Sequence, residues 1–199
     1  FSKEHLTSDI IDEFLRHIPY LSYDFNLHYG HLGTYKSLPN RIIDLSASYS
    51  VIQQAFSKNT KRNISKAEQA GLQVATIESS VLVDFWRLQN GDKPAELGNK
   101  LPLLCEAAQQ HKMGVCYGVF TANHELVATL MTLETDARII YLVPTSNRLG
   151  KELCAMFLLV DYLLKTNAGT AKVFDCEGSQ IPGVSRYFWS EQLHGGVGN

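Results

Sequence analysis

The sequence predicts a mixed α/β (α+β) fold: one sheet holding an antiparallel meander and a splayed strand pair, with helices flanking it. Three observations carry this. Gly114–Thr121, Leu126–Leu133 and Arg138–Val143 are consecutive strand runs, separated by tight turns at 123–125 and 135–137. After them Leu149, Leu153, Met156, Phe157, Val160 and Leu164 fall at helical spacing, and Val173-Phe174 opens another strand. That connection is long enough for a parallel crossover. Pro144 closes the third run; without an N–H it cannot continue a ladder, so the strand should part from its neighbour there.

The remaining elements follow in order. Thr7–Arg16 reads as a capped helix with acids in its first turn, stopped by Pro19. Residues 20–29 alternate Leu21, Tyr23, Phe25, Leu27 and Tyr29, the signature of a half-buried strand, and 30–40 is a loop. Arg41–Ser46 is a short strand and Tyr49–Phe56 a short helix. The helix over 57–71 takes Thr60 as its cap, turns Ile64 and Ala67 inward and closes on Gly71. Leu72–Glu78 alternates as a strand; Val81–Leu88 and Glu96–His111 are helices around the Asn90–Pro94 turn. Ile181–Trp189 reads as a last helix with Pro182 near its start, and Gly195–Gly198 as a loose tail.

Composition narrows the function classes. Apolar residues make up 45% and charged residues 19%, ordinary for a chain that buries a core, and the net charge of −2 favours neither nucleic acid nor an acidic membrane surface. No apolar run reaches membrane-spanning length; the richest, Leu153–Leu164, contains Asp161. Cys105, Cys116, Cys154 and Cys176 are widely spaced, so neither a zinc site nor a disulfide frame is expected, no leader pattern is present, and a reducing cytoplasmic setting fits. His28 and His31 lie in a glycine-containing turn and no metal is expected there. The chain opens on Phe1 rather than Met, so residues upstream are expected.

Two stretches suggest binding. Asn147, Arg148, Leu149, Gly150 and Lys151 follow a strand and open a helix, and such an entrance offers free backbone N–H groups to a phosphate; a crossover without ligand is the alternative. Lys58, Arg62 and Lys66 recur every four residues beside Lys61, giving one helix a basic stripe. It is either a solvated face or a face for an anionic substrate.

The order from Leu72 onward (strand, two helices, meander, helix, strand, helix) resembles the GNAT N-acyltransferase fold. The stretch SKNTKRNISKAEQAGL at 57–72, with VFDCEGSQIPGVSRYF at 173–188, looks like the FemAB/FemX-like branch, and the resemblance covers residues 40–192. It implies residues 1–50 as a remnant or lead-in from a preceding GNAT-like domain and 51–199 as the acyltransferase domain. The branch's acyl-CoA loop usually ends in a small residue, where this chain has Glu152. The fold's two closing strands have no room after Gly196, so either the chain is cut short or the strands at 20–29 and 41–46 occupy that side of the sheet.

The resemblance implies transfer of an acyl group, acetyl first, from acetyl-CoA or another acyl-CoA to an amine on a small molecule or cell-envelope precursor, without a metal. Leu142 and Val143 at the splay, with 147–151, would hold the co-substrate. Glu177 or Asp175 would take the ammonium proton, and Tyr187 or Tyr141 would protonate the leaving thiolate. In the bland alternative Asp175 and Glu177 cap a helix or pair with Arg186, and Tyr187 is packing. Two other functions stay open: a FemX-like ligase drawing on aminoacyl-tRNA, which would bind through Lys58, Lys61, Arg62 and Lys66, and a cofactor-free binding module.

Overall fold

The computed structural model describes residues 13, 16, 42–91 and 95–176. The chain divides after Asn40 into two units. In the first, Glu13 and Arg16 are helical and joined by a 3.0 Å salt bridge. The strand expected at 20–29, the helix at 181–189, the tail, His28, His31, Glu177 and Tyr187 lie outside the described residues.

In the second unit the elements run β1 (Ile42–Asp44), α1 (Tyr49–Gln54), α2 (Lys58–Gln69), β2 (Gln73–Thr76), α3 (Ser79–Asn90) and α4 (Ala95–Gln110). They continue through β3 (Gly114–Phe120), β4 (Leu126–Glu134), β5 (Arg138–Ser146), α5 (Arg148–Glu152), α6 (Ala155–Asn167) and β6 (Val173–Asp175). The six strands form one sheet in the order β1-β6-β5-β4-β3-β2. β2 to β5 pair antiparallel, β6 runs parallel to β5, and β1 returns antiparallel on β6. The expected meander and parallel crossover are both present, and the strand expected at 41–46 takes the sheet edge beside β6.

Alternation along the strands sorts side chains onto two faces. On one, Leu130, Ile139 and Phe174 pack with Ile64 and Ala67 of α2 and with Leu159, Leu163 and Leu164 of α6. On the other, Cys116 and Met131 pack under Leu82, Val83 and Trp86 of α3 and Leu101 and Cys105 of α4. The result is a three-layer helix–sheet–helix domain, and both layers bury the apolar stripe of their helices.

Three boundaries differ from expectation, each for a local reason. Thr60 does not cap α2; Ser57 does, its hydroxyl accepting from the Thr60 amide at 3.1 Å. Glu78 belongs to no strand, because β2 ends at Thr76 and Glu78 is the extended N-cap of α3. The helix expected from Asn147 to Leu164 is two helices. α5 ends after Glu152, and Cys154 sits in the left-handed region at φ 60 before α6 begins.

Candidate active site

β5 is where the sheet changes character. Its first three residues pair with β6 as Arg138↔Val173, Ile139↔Phe174 and Ile140↔Asp175. From Tyr141 onward no strand among the described residues pairs with it on that side, whereas β4 follows it to Ser146. The ladder with β4 also breaks: Met131 faces Leu142 and Thr129 faces Thr145, so Val143 and Pro144 together oppose Leu130. This is a bulge, with Val143 at φ 49. A β-branched residue there is strained by about 1–3 kcal/mol. Pro144 supplies part of the cause, since it has no hydrogen to give the ladder. On the β4 side the interruption expected at Pro144 takes the form of a bulge; on the β6 side the residues that would continue the ladder lie outside the described ones.

The two strands are tied together just before they part. Arg138 Nη1 donates to Asp175 Oδ2, the guanidinium 22% exposed and the carboxylate fully buried. Asp175 is held by Arg138; Arg186, its partner in the alternative reading, lies outside the described residues. Beside Asp175, Tyr141 projects onto the α6 face, its ring edge-on to Phe174 at 6.2 Å between centroids. Burial, with a smaller contribution from Cys176, pushes the Tyr141 hydroxyl well above its ordinary value, so it stays protonated. Leu142 takes the opposite face with Met131, and Val143 packs against the α3–α4 layer.

The entrance of α5 is organised by its own side chains. Asn147 Oδ1 accepts from the Gly150 amide at 2.7 Å, and the Asn147 amide donates to the Val127 carbonyl at 3.1 Å. A Cβ on Gly150 would come within 2.2 Å of that carbonyl oxygen, so glycine is required here by close packing on β4. Arg148 and Glu152 pair at 2.8 Å, 93% and 55% exposed, which draws the Glu152 carboxylate along the outside of α5. Lys151 is exposed and Leu149 packs into the core. This entrance fits a pyrophosphate poorly, because its glycine amide is capped and its helix has only one turn.

The basic stripe lies on the outer side of α2, whose Ile64 and Ala67 face α6. Lys61 Nζ donates to the Gln54 carbonyl at 3.3 Å and Arg62 to Asn59 Oδ1 at 2.6 Å. Among the described residues no carboxylate lies within salt-bridge distance of Lys58, Lys61, Arg62 or Lys66, and no cluster of His, Cys, Asp and Glu is arranged to hold a metal. Sequence reasoning missed Arg138. Its place at the strand start two residues after Asp136 marks a turn, and only the parallel register shows that it faces Asp175.

No protein-family model and no curated protein matches the chain. Solved structures do. The crystal structure of FemX superposes with a TM-score of 0.58 at 9% identity, covering 74% of this chain and 55% of that one. A conserved protein of unknown function from Bacteroides thetaiotaomicron VPI-5482 gives 0.50 at 10% identity, covering 70% and 50%. L-PGS from Bacillus licheniformis gives 0.47 at 16%, covering 79% and 50%. The chain thus spans about half the length of these structures. At such identities the likeness is one of fold: this domain is a GNAT-like, FemX-like mixed α/β sheet. No helix among the described residues is long and apolar enough to cross a membrane.

Proposed function

We propose that the domain is an N-acyltransferase, moving an acyl group from a CoA thioester such as acetyl-CoA to an amine. One observation carries this reading: among the described residues the β5–β6 ladder ends at Ile140↔Asp175, and the β5 backbone beyond it is bulged at Val143. In this reading the far edge of β5 presents N–H and C=O groups to an extended ligand arm, as to a further strand. The likeness of the fold to FemX gives the same class of reaction independent support.

In this reading the amides around Leu142 to Thr145 hold the acyl donor, and bulging re-aims one of them toward the acyl carbonyl, where charge develops as the amine adds. Tyr141 supplies the proton that the departing thiolate takes up, since burial keeps its hydroxyl protonated at neutral pH. Asp175, fully buried against Arg138, fixes the end of β6. The proton from the ammonium then falls to Glu177, two residues beyond it in the chain. Titration calorimetry with acetyl-CoA tests the proposal: saturable heat at micromolar to millimolar ligand supports it, and no heat with no thermal shift removes it.

A second reading has its own observation. The basic stripe on α2, which has no carboxylate partner among the described residues, suits a polyanion, and an aminoacyl-tRNA donor for a cell-envelope amine would use it. That reading predicts tRNA binding that weakens steeply with salt and is lost on reversing Lys58, Arg62 and Lys66. An acyl-CoA enzyme would tolerate the same reversal.

A further inference from the structure

Thr129 and Thr145 face each other across β4 and β5, immediately beyond the bulge. Thr129 is 0% and Thr145 7% exposed, and neither hydroxyl has a hydrogen-bond partner. Elsewhere in the domain half-buried hydroxyls are engaged: Tyr49 reaches Asp161 at 2.6 Å and Thr132 reaches Glu134 at 3.1 Å. An orphaned buried hydroxyl costs about 1–3 kcal/mol, so two on neighbouring residues call for a cause. Register supplies the setting. Thr145 shares a sheet face with Thr129 and, one strand further, with Gly118 and Ala75, so the row across the sheet is small at every strand. The small row alone would mean little; the two hydroxyls, both more than nine-tenths buried and unpartnered among the described residues, point to a partner beyond them. Thr145 also stands on the stretch of β5 that no described strand pairs with on the β6 side.

We infer that Thr129 and Thr145 form a polar subsite for a neutral amide of the acyl donor, beside the parted strands. The inference rests on the acyl-transfer reading and deepens it. Two hydroxyls give one donor and one acceptor each without charge, which matches an amide that must both give and receive. A phosphate or an ammonium buried among neutral groups would lack its counter-charge. The pair therefore suits the amide-bearing pantetheine arm of a CoA thioester, not its pyrophosphate. It also separates the two donors, because the nucleotide end of an aminoacyl-tRNA carries no such arm.

The test uses the full chain with acetyl-CoA as the probe, comparing wild type with Thr145→Val, Thr129→Val and Thr145→Ser by calorimetry and thermal melting. Valine keeps the shape and removes the hydroxyl. The valine variants are expected to bind acetyl-CoA about tenfold more weakly, the value of one lost hydrogen bond, while melting at or above the wild-type temperature without ligand. Serine is expected to restore affinity to within about twofold. Equal affinity for wild type and the valine variants would leave the hydroxyls to an internal water and overturn the inference alone. A valine variant that melts below wild type without ligand would show a partner within the chain, with the same result. Absence of binding by wild type removes the acyl-CoA reading, and the subsite with it.

Discussion

The two halves of β5 are built on opposite principles. Its first half is paired on both sides and tied to β6 by Arg138 and a fully buried Asp175. Its second half keeps one neighbour among the described residues, bends at a bulge, puts a β-branched residue at φ 49 and leaves two buried hydroxyls unpartnered. Half a strand thus fixes the sheet and the other half carries the costs. Strain and unmet hydrogen bonding concentrate at functional sites because only a ligand or a reaction returns what they cost. The difference teaches where to look: the end of β5 that is worst as a sheet is the end at which the proposed binding is to be tested.

The comparison is broken most directly through its rigid half. Arg138→Ala takes the guanidinium away from the buried Asp175 carboxylate, and removing one member of a buried pair costs about 3–5 kcal/mol. Urea unfolding should show a loss near the lower figure, about 3 kcal/mol, since Arg138 keeps some contact with water. Arg138→Met combined with Asp175→Asn should recover most of that loss. If Arg138→Ala unfolds at the wild-type midpoint, the tie is not what holds β6 in place.

What could be read from the residues alone follows the same division. The meander was legible because strand period, turn residues and spacing all agree over Gly114 to Val143. The break in the ladder with β4 was legible as a consequence of one residue, Pro144, whose missing N–H acts locally. The tie between Arg138 and Asp175 was not: the partners are 37 residues apart and meet only through the register of a parallel pair. Gly150 was legible as a special position, but its reason was not. Alone it suggests a phosphate loop, whereas the fold shows it pressed against the Val127 carbonyl of another strand. The break at Cys154 left no signal either, because an apolar helical period runs unbroken through it.

A second, smaller effect sharpens the contrast at the far end of β5. Gly150→Ala brings a methyl to about 2 Å from a backbone oxygen that cannot move aside as a side chain could. Overpacking of this kind costs about 1–3 kcal/mol. The expected loss is about 2 kcal/mol by thermal unfolding, together with a displaced α5 entrance. Full stability in the alanine variant would show that α5 stands off β4, and would restore the helix entrance as a candidate phosphate site.

Outside β5, Asp161 gives the domain a pH-dependent contribution of its own. It lies buried on α6, accepts from Tyr49, and has Lys165 and Glu68 nearby. Burial raises its pKa above the ordinary 3.8, and the bond from Tyr49 offsets this only in part. The folded chain therefore binds this proton more tightly than the unfolded chain. Its contribution is fully present below about pH 4 and is lost as pH rises through the raised value. Asp161→Asn should remove that slope, so its melting temperature gains on wild type as pH increases from 4 to 7. A constant difference across that range would mean that the acid is as comfortable folded as unfolded.

The smallest effect concerns strain that no function explains. Cys154 joins α5 to α6 in the left-handed region, which costs a residue with a Cβ about 1 kcal/mol relative to glycine. Cys154→Gly should remove that cost while giving up the contacts of a half-buried thiol and some unfolded-state entropy, for a net gain of no more than about 0.5 kcal/mol. The matching change at the bulge, Val143→Gly, relieves the same backbone strain but withdraws a side chain packed under the α3–α4 layer, so it should lose stability. The two substitutions differ in sign although the backbone conformations are alike. That difference separates a joint that merely tolerates strain from one that uses it to carry a side chain, and chemical denaturation of the two variants side by side reads it directly.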